Sequence, residues 1–190
     1  MRGFFPLIVA GAGVLVVGCT SPVQTSNGYT VTSAAPPQEL AQAKGCKFVV
    51  SEISDLRRDP SVIGMLGPRV IRGPDDPSQW IHNVLEGLRS YGFDVSFRSA
   101  EISHVLTASV AIENVWVSSM ATAKTGNVTL LVRYARDEIP FKEVHYRGAE
   151  SEVNWFNSSD EIQGMIDEAL AQILEAMSHD LGDLCSEAPS

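Results

Sequence analysis

The stretch His104–Ser118, HVLTASVAIENVWVS, constrains the fold more than any other part of the chain. Leu106, Ala108, Val110 and Ile112 recur at every second position, the period of a strand with one buried and one open face. At Glu113-Asn114 the phase slips by one, and Val115 and Val117 then carry the apolar set on. Such a slip predicts a β-bulge inside one long strand. A strand of this kind needs neighbours in a sheet and a cover over its apolar side.

The residues that follow supply both. Gly126–Arg136 places Val128, Leu130, Val132 and Tyr134 on one side, and Phe141–Arg147 does the same with Val144 and Tyr146. The break Asp137-Glu138-Ile139-Pro140 between them predicts a hairpin. A last helix over Glu161–Asp180 supplies the cover, opened by a Ser158/Glu161 capping box. Its stripe, Ile162, Met165, Ile166, Ala169, Leu170, Ile173, Leu174 and Met177, repeats at three and four.

Another helix begins in DPSQWIHNVLEGLRSYGF, with Asp76 as N-cap, Pro77 in the first turn and Gln79 completing a capping box. Trp80, Ile81, Val84, Leu85, Leu88 and Tyr91 share its apolar face, and Gly92 ends it. His82 falls off that face and reads as solvated. Cys46–Ile53 and Phe93–Phe97 read as short strands. The segment carrying Pro60, Gly64, Gly67, Pro68, Gly73 and Pro74 reads as a loop. The expected architecture is α+β: an antiparallel sheet of about four to five strands with two helices packed on one face.

The beginning of the chain reads differently. Arg2 precedes an apolar run, Phe4 to Gly18, which is shorter than the roughly 20 residues a spanning helix needs and is interrupted by Pro6, Gly11 and Gly13. Residues 1–18 therefore read as a secretory signal, the alternative being an uncleaved anchor helix. Val16-Val17-Gly18-Cys19 resembles a bacterial lipobox. That resemblance implies a diacylglycerol on the Cys19 thiol, cleavage before it, and acylation of the new amino terminus by chains such as palmitate. Several chains at about 0.8 kcal/mol per buried CH₂ make a lasting anchor. Thr20 stands where enterobacterial lipoproteins kept at the inner membrane carry Asp. The same sorting rule implies an outer-membrane anchor with the domain facing the periplasm. Residues 19–45 then form a lipidated start and a flexible tether rich in Ser, Thr and Pro. Residues 46–185 form the single domain, and 186–190 a tail.

Cys46 and Cys185 are the two remaining cysteines. Outside the cytoplasm an even pair favours a disulfide, here tying the two ends of the domain together. Closing a loop of more than about 100 residues is worth ~5 kcal/mol in the chain-entropy model. Two free buried thiols are the alternative. His82, His104, His145 and His179 show no paired ligand spacing with either cysteine, so no metal or other cofactor is expected.

The net charge of −9 argues against broad attraction to nucleic acid, and the densest basic spot, Arg57-Arg58, is flanked by Asp55 and Asp59. No nucleophile elbow, phosphate loop or Cys-His pairing appears, so no enzyme is expected. If the apolar sets face the helices, the other side of the sheet carries Trp116, Leu131, Arg133, Phe141, Glu143, His145 and Arg147. Aromatics beside arginines are typical of docking patches. Trp116, Arg133, Phe141, His145 and Arg147 are accordingly the candidate partner-binding residues, against the plainer reading of a solvated face.

A helix ending in Ser90-Tyr91-Gly92-Phe93 is followed by a strand with Asn114-Val115-Trp116-Val117. Val132-Arg133-Tyr134, Tyr146-Arg147-Gly148 and a final acidic helix complete the order. With the lipobox, this pattern resembles the YajG-type lipoproteins of Gram-negative bacteria over roughly Phe48–Leu181. The resemblance implies an address and a fold and no enzymatic activity; the Cys46/Cys185 pair is not part of it. The function expected is a lipid-anchored, non-catalytic periplasmic module that binds an envelope partner. An auxiliary lipoprotein of an ABC- or MCE-type lipid transport system is the alternative, and an enzyme acting on envelope polymers a third.

Overall fold

The alternating run becomes one 15-residue strand, Leu106–Met120, with its register shifted between Ile112 and Asn114 where the phase slips. The computed structural model describes residues 23–24, 45–97, 105–120, 123–153 and 158–186. Residues 1–18, expected as a signal, Cys19 and nearly all of the expected tether lie outside the described residues, as do residues 187–190. In chain order the elements are β1 (Val23–Gln24), β2 (Lys47–Asp55), β3 (Val62–Leu66), β4 (Arg69–Arg72) and α1 (Pro77–Glu86). A 3₁₀ turn over Gly87–Tyr91 leads to β5 (Asp94–Phe97), β6 (Leu106–Met120), β7 (Ala123–Arg136), β8 (Ile139–Val153) and α2 (Ser159–Ser186).

The class is α+β with two helices, but the sheet is larger than expected and mixed rather than antiparallel. β6, β7 and β8 form an antiparallel meander, its last turn made by Asp137 and Glu138 at φ 51° and 66°. On the other edge of β6, β2 runs parallel to its first half and β3 parallel to its second. Beyond them β5 pairs parallel with β2, and β4 antiparallel with β3. Seven strands thus make a curled sheet that forks on one side of β6. The two-residue β1 adds to the outer edge of β4, Val23 opposite Ile71 and Gln24 opposite Arg72.

Both departures have physical causes. Phe48, Val49 and Val50 are all buried, the signature of a strand covered on both faces, as parallel strands usually are. The segment expected as a loop is the β3–β4 hairpin. Gly64 has φ +156°, and a Cβ there would lie 2.1 Å from the Val117 carbonyl oxygen, so the glycine allows β3 to close on β6.

The helices cover one face of the sheet. Asp76 Oδ1 accepts from Gln79 N at 2.9 Å and caps α1, while the Gln79 side chain donates to Asn83 instead of reaching back. The box at the start of α2 is reciprocal: Glu161 N donates to Ser158 Oγ at 3.2 Å, and Ser158 N to the Glu161 carboxylate. α2 extends six residues beyond the expected Asp180 to Ser186, so Cys185 lies inside its last turn. Its whole stripe is buried against β7 and β8. At Gly148 a Cβ would stand 1.7 Å from the Ala169 carbonyl oxygen, so α2 and β8 meet backbone to backbone.

Candidate functional site

With both helices on one side, the other side of β6, β7 and β8 is left to solvent. Register fixes which side chains meet there. Ser109, Arg133 and Glu143 form one row, Ala111, Leu131 and His145 the next, and Asn114, Thr129 and Arg147 the third. Arg133 Nε donates to Glu143 Oε2 at 2.6 Å, with both side chains about half exposed. His145 Nδ1 lies 2.8 Å from the Glu113 carboxylate, and Arg147 is exposed. Leu131 belongs to this face but is only 4% exposed, sunk among longer neighbours.

The two aromatics do not share one patch. Trp116, 40% exposed, stands opposite Asn127. Phe141, 46% exposed, sits at the register shift beside Ala135, with the Arg136 guanidinium 5.7 Å from its ring centroid. About eight residues of β7 separate these positions, roughly 26 Å at 3.3 Å per residue. Arg133, His145 and Arg147 are brought together; Phe141 borders them and Trp116 stands apart.

Cys46 and Cys185 are bonded, with their Cα atoms 6.1 Å apart and a sequence separation of 139. The bridge joins the entry to β2 with the last turn of α2. Cys19 lies outside the described residues.

One feature was not legible in the sequence. His82 is half-buried rather than solvated, its ring 3.7 Å from that of Phe97. The pair forms a wall of an open cleft of about 360 Å³ lined also by Ser51, Glu52, Asp76 and Gln79. A histidine beside the apolar stripe of α1 was the sole signal, and the cleft draws on three separate segments. On the helix side, Tyr134 and Tyr146 share a 2.8 Å hydrogen bond, and Tyr146 donates to Asp180 Oδ2 at 2.5 Å. Lys142 Nζ closes this network at 3.1 Å from Asp180 Oδ1. Burial first, then the neighbouring hydroxyl and carboxylate, push the Tyr146 phenol far above its ordinary range. It stays neutral and donates to the Asp180 carboxylate. Among the described residues no three His, Cys, Asp or Glu side chains converge on a metal position. None of the helices there is long and apolar enough to cross a membrane.

No family model and no curated protein matches the sequence. Solved structures do match in fold. Protein XCC0632 from Xanthomonas campestris, of family DUF330, is 11% identical with a TM-score of 0.57, covering 88% of this chain and 99% of its own. Protein CT253 from Chlamydia trachomatis is 9% identical with a TM-score of 0.50, covering 72% and 98%. Lipoprotein GNA1162 from Neisseria meningitidis is 10% identical with a TM-score of 0.38, covering 73% and 99%. At 11% and 9% identity the first two likenesses are of fold alone.

Proposed function

We propose that this chain is a lipid-anchored, non-catalytic protein of the Gram-negative envelope, held at the outer membrane through Cys19 with its domain facing the periplasm. In this reading the charged part of the open sheet face docks an envelope protein. The observation that carries it is the one-sided cover: both helices lie on one face, and Arg133, Glu143, His145, Glu113 and Arg147 stand in adjacent rows on the other. Charge pairs exposed in this way cost little to rearrange and supply orientation and partner choice more than raw affinity. The address rests on Arg2, the short apolar run, the Val16–Cys19 lipobox and the YajG-type resemblance.

Photo-crosslinking in intact cells from Phe141 and His145, followed by mass spectrometry of the membrane fraction, tests the docking. One recurring protein adduct that weakens in Arg147→Glu is expected. Lipid adducts, or phospholipid that copurifies, would replace this reading with an auxiliary lipoprotein of an ABC- or MCE-type transport system. Turnover of peptidoglycan fragments that a point substitution abolishes would sink the non-catalytic reading. Incorporation of an alkyne palmitate that disappears in Cys19→Ser tests the anchor.

A further inference from the structure

The open face changes character along its length. Toward the β6–β7 turn its outward positions are Trp116, Ser118 and Met120 on β6, opposite Asn127, Thr125 and Ala123 on β7. Ala149, Ser151 and Val153 continue the rows on β8. None of these carries a charge, in a chain where 19% of residues do. Met65 joins this end through its pairing with Ser118, and Val70 through its pairing with Met65. Four large side chains stand out here: Trp116 at 40% exposure, Met65 at 43%, Val153 at 75% and Met120 at 82%. The opposite end of the same face holds the charge pairs.

The pairing of β1 says which end lies nearer the start of the mature chain. β1 runs parallel to β4, so the chain reaches Val23 from the side of the β3–β4 turn. That turn lies beside the β6–β7 turn, because Met65 is level with Ser118 and both strands run the same way. Cys19 and Val23 are four positions apart. They span at most ~14 Å, so the anchor lies close to the β4 edge.

We infer that the uncharged end of the open sheet face, with Trp116, Met65, Met120 and Val153, lies on the phospholipid surface into which Cys19 is anchored. Trp is suited to the boundary between headgroups and acyl chains, and Met adapts to a fluid partner. Arg72, paired with Gln24, is exposed on the same edge, where lipid phosphates would lie within reach. The charged end then points away from the membrane, toward the periplasm. This inference rests on the acylation of Cys19 proposed above.

The test uses the full-length acylated protein in vesicles of phosphatidylethanolamine and phosphatidylglycerol doped with dibrominated phosphatidylcholine. The wild-type background of this test carries Trp155→Phe, which leaves Trp116 and Trp80, the latter buried in the core and insulated from the lipid. Wild-type tryptophan emission should be quenched by the bromolipid, and Trp116→Phe should lose the quenched part. Met65→Asp/Met120→Asp should lose it too while the protein stays with the vesicles. Equal quenching in wild type and Trp116→Phe would overturn the inference even with acylated Cys19 found by mass spectrometry, leaving the anchor intact. An unmodified Cys19 would overturn both. A protein adduct instead of a lipid one, from a photo-crosslinker at Met120 in cells, would make this end a protein-docking surface and refute the inference.

Discussion

The two faces of β6, β7 and β8 come from the same residues taken alternately, and they obey different rules. On the helix side Val110, Ile112, Val128, Leu130, Val132 and Tyr134 have no exposure at all, and even the backbone of α2 touches the strand at Gly148. On the open side the contacts are ion pairs and single exposed side chains. The first face tolerates no change of volume because every atom already has a neighbour. The second is free to vary, so what it does display is informative about partners.

The largest expected effects fall on the helix side. The Cys46–Cys185 bridge pins the end of α2 to the start of β2. Cys46→Ser should lower stability by about 2–5 kcal/mol, lowering the thermal midpoint by roughly 6–15 °C. A midpoint unchanged between Cys46→Ser and wild type would show that packing alone holds α2 in place. Gly148→Val should cost about 3 kcal/mol or more, because its Cβ would enter the Ala169 carbonyl and force α2 off the sheet. Denaturant unfolding that puts this variant within 1 kcal/mol would break the contrast between the faces.

A smaller effect separates the helix layer from the open face by pH. Burial pushes the Asp167 carboxyl up to about 6, opposed in part by a hydrogen bond from Gln163. Folded protein then holds a proton that unfolded chain, with its ordinary value of 3.8, gives up. Stability from this group is therefore fullest below that value and falls as pH rises toward about 6, where the loss is complete. Asp167→Asn should flatten the decline of the thermal midpoint over that window. A decline of the same slope in the variant would assign it to other groups.

What could be read from residues alone was what repeats locally. The β6 bulge, the α2 stripe and the Ser158/Glu161 box each depend on neighbours within a few positions, and each stands where its period puts it. The β3–β4 hairpin did not read as one, because Gly64 and Gly67 look like loop residues until Val117 is seen pressing on the first. Parallel pairing of β2 with β6 depends on a partner more than 50 positions away, and a run such as Phe48-Val49-Val50 names no partner. Parity placed Trp116, Arg133, Phe141, His145 and Arg147 on one side. Their division into a charged end and an uncharged end needed the full register and the pairing of Val23.

The smallest expected effect is the sharpest check on the open face itself. Trp116 and Phe141 stand 40% and 46% exposed, at opposite ends of the sheet and with no role in the core cluster. Replacing both by Ser removes much apolar area, but over half-open sites that collapse easily and leave no sealed cavity. The double variant should lose less than about 2 kcal/mol and keep a cooperative thermal transition. Its two halves should then separate in function: Trp116→Ser would weaken contact with the vesicle surface, and Phe141→Ser would weaken the crosslinked protein adduct. Loss of the transition would show that the face is structural. Loss of both contacts by either single substitution would show that the face acts as one patch, and the division between its ends would fall.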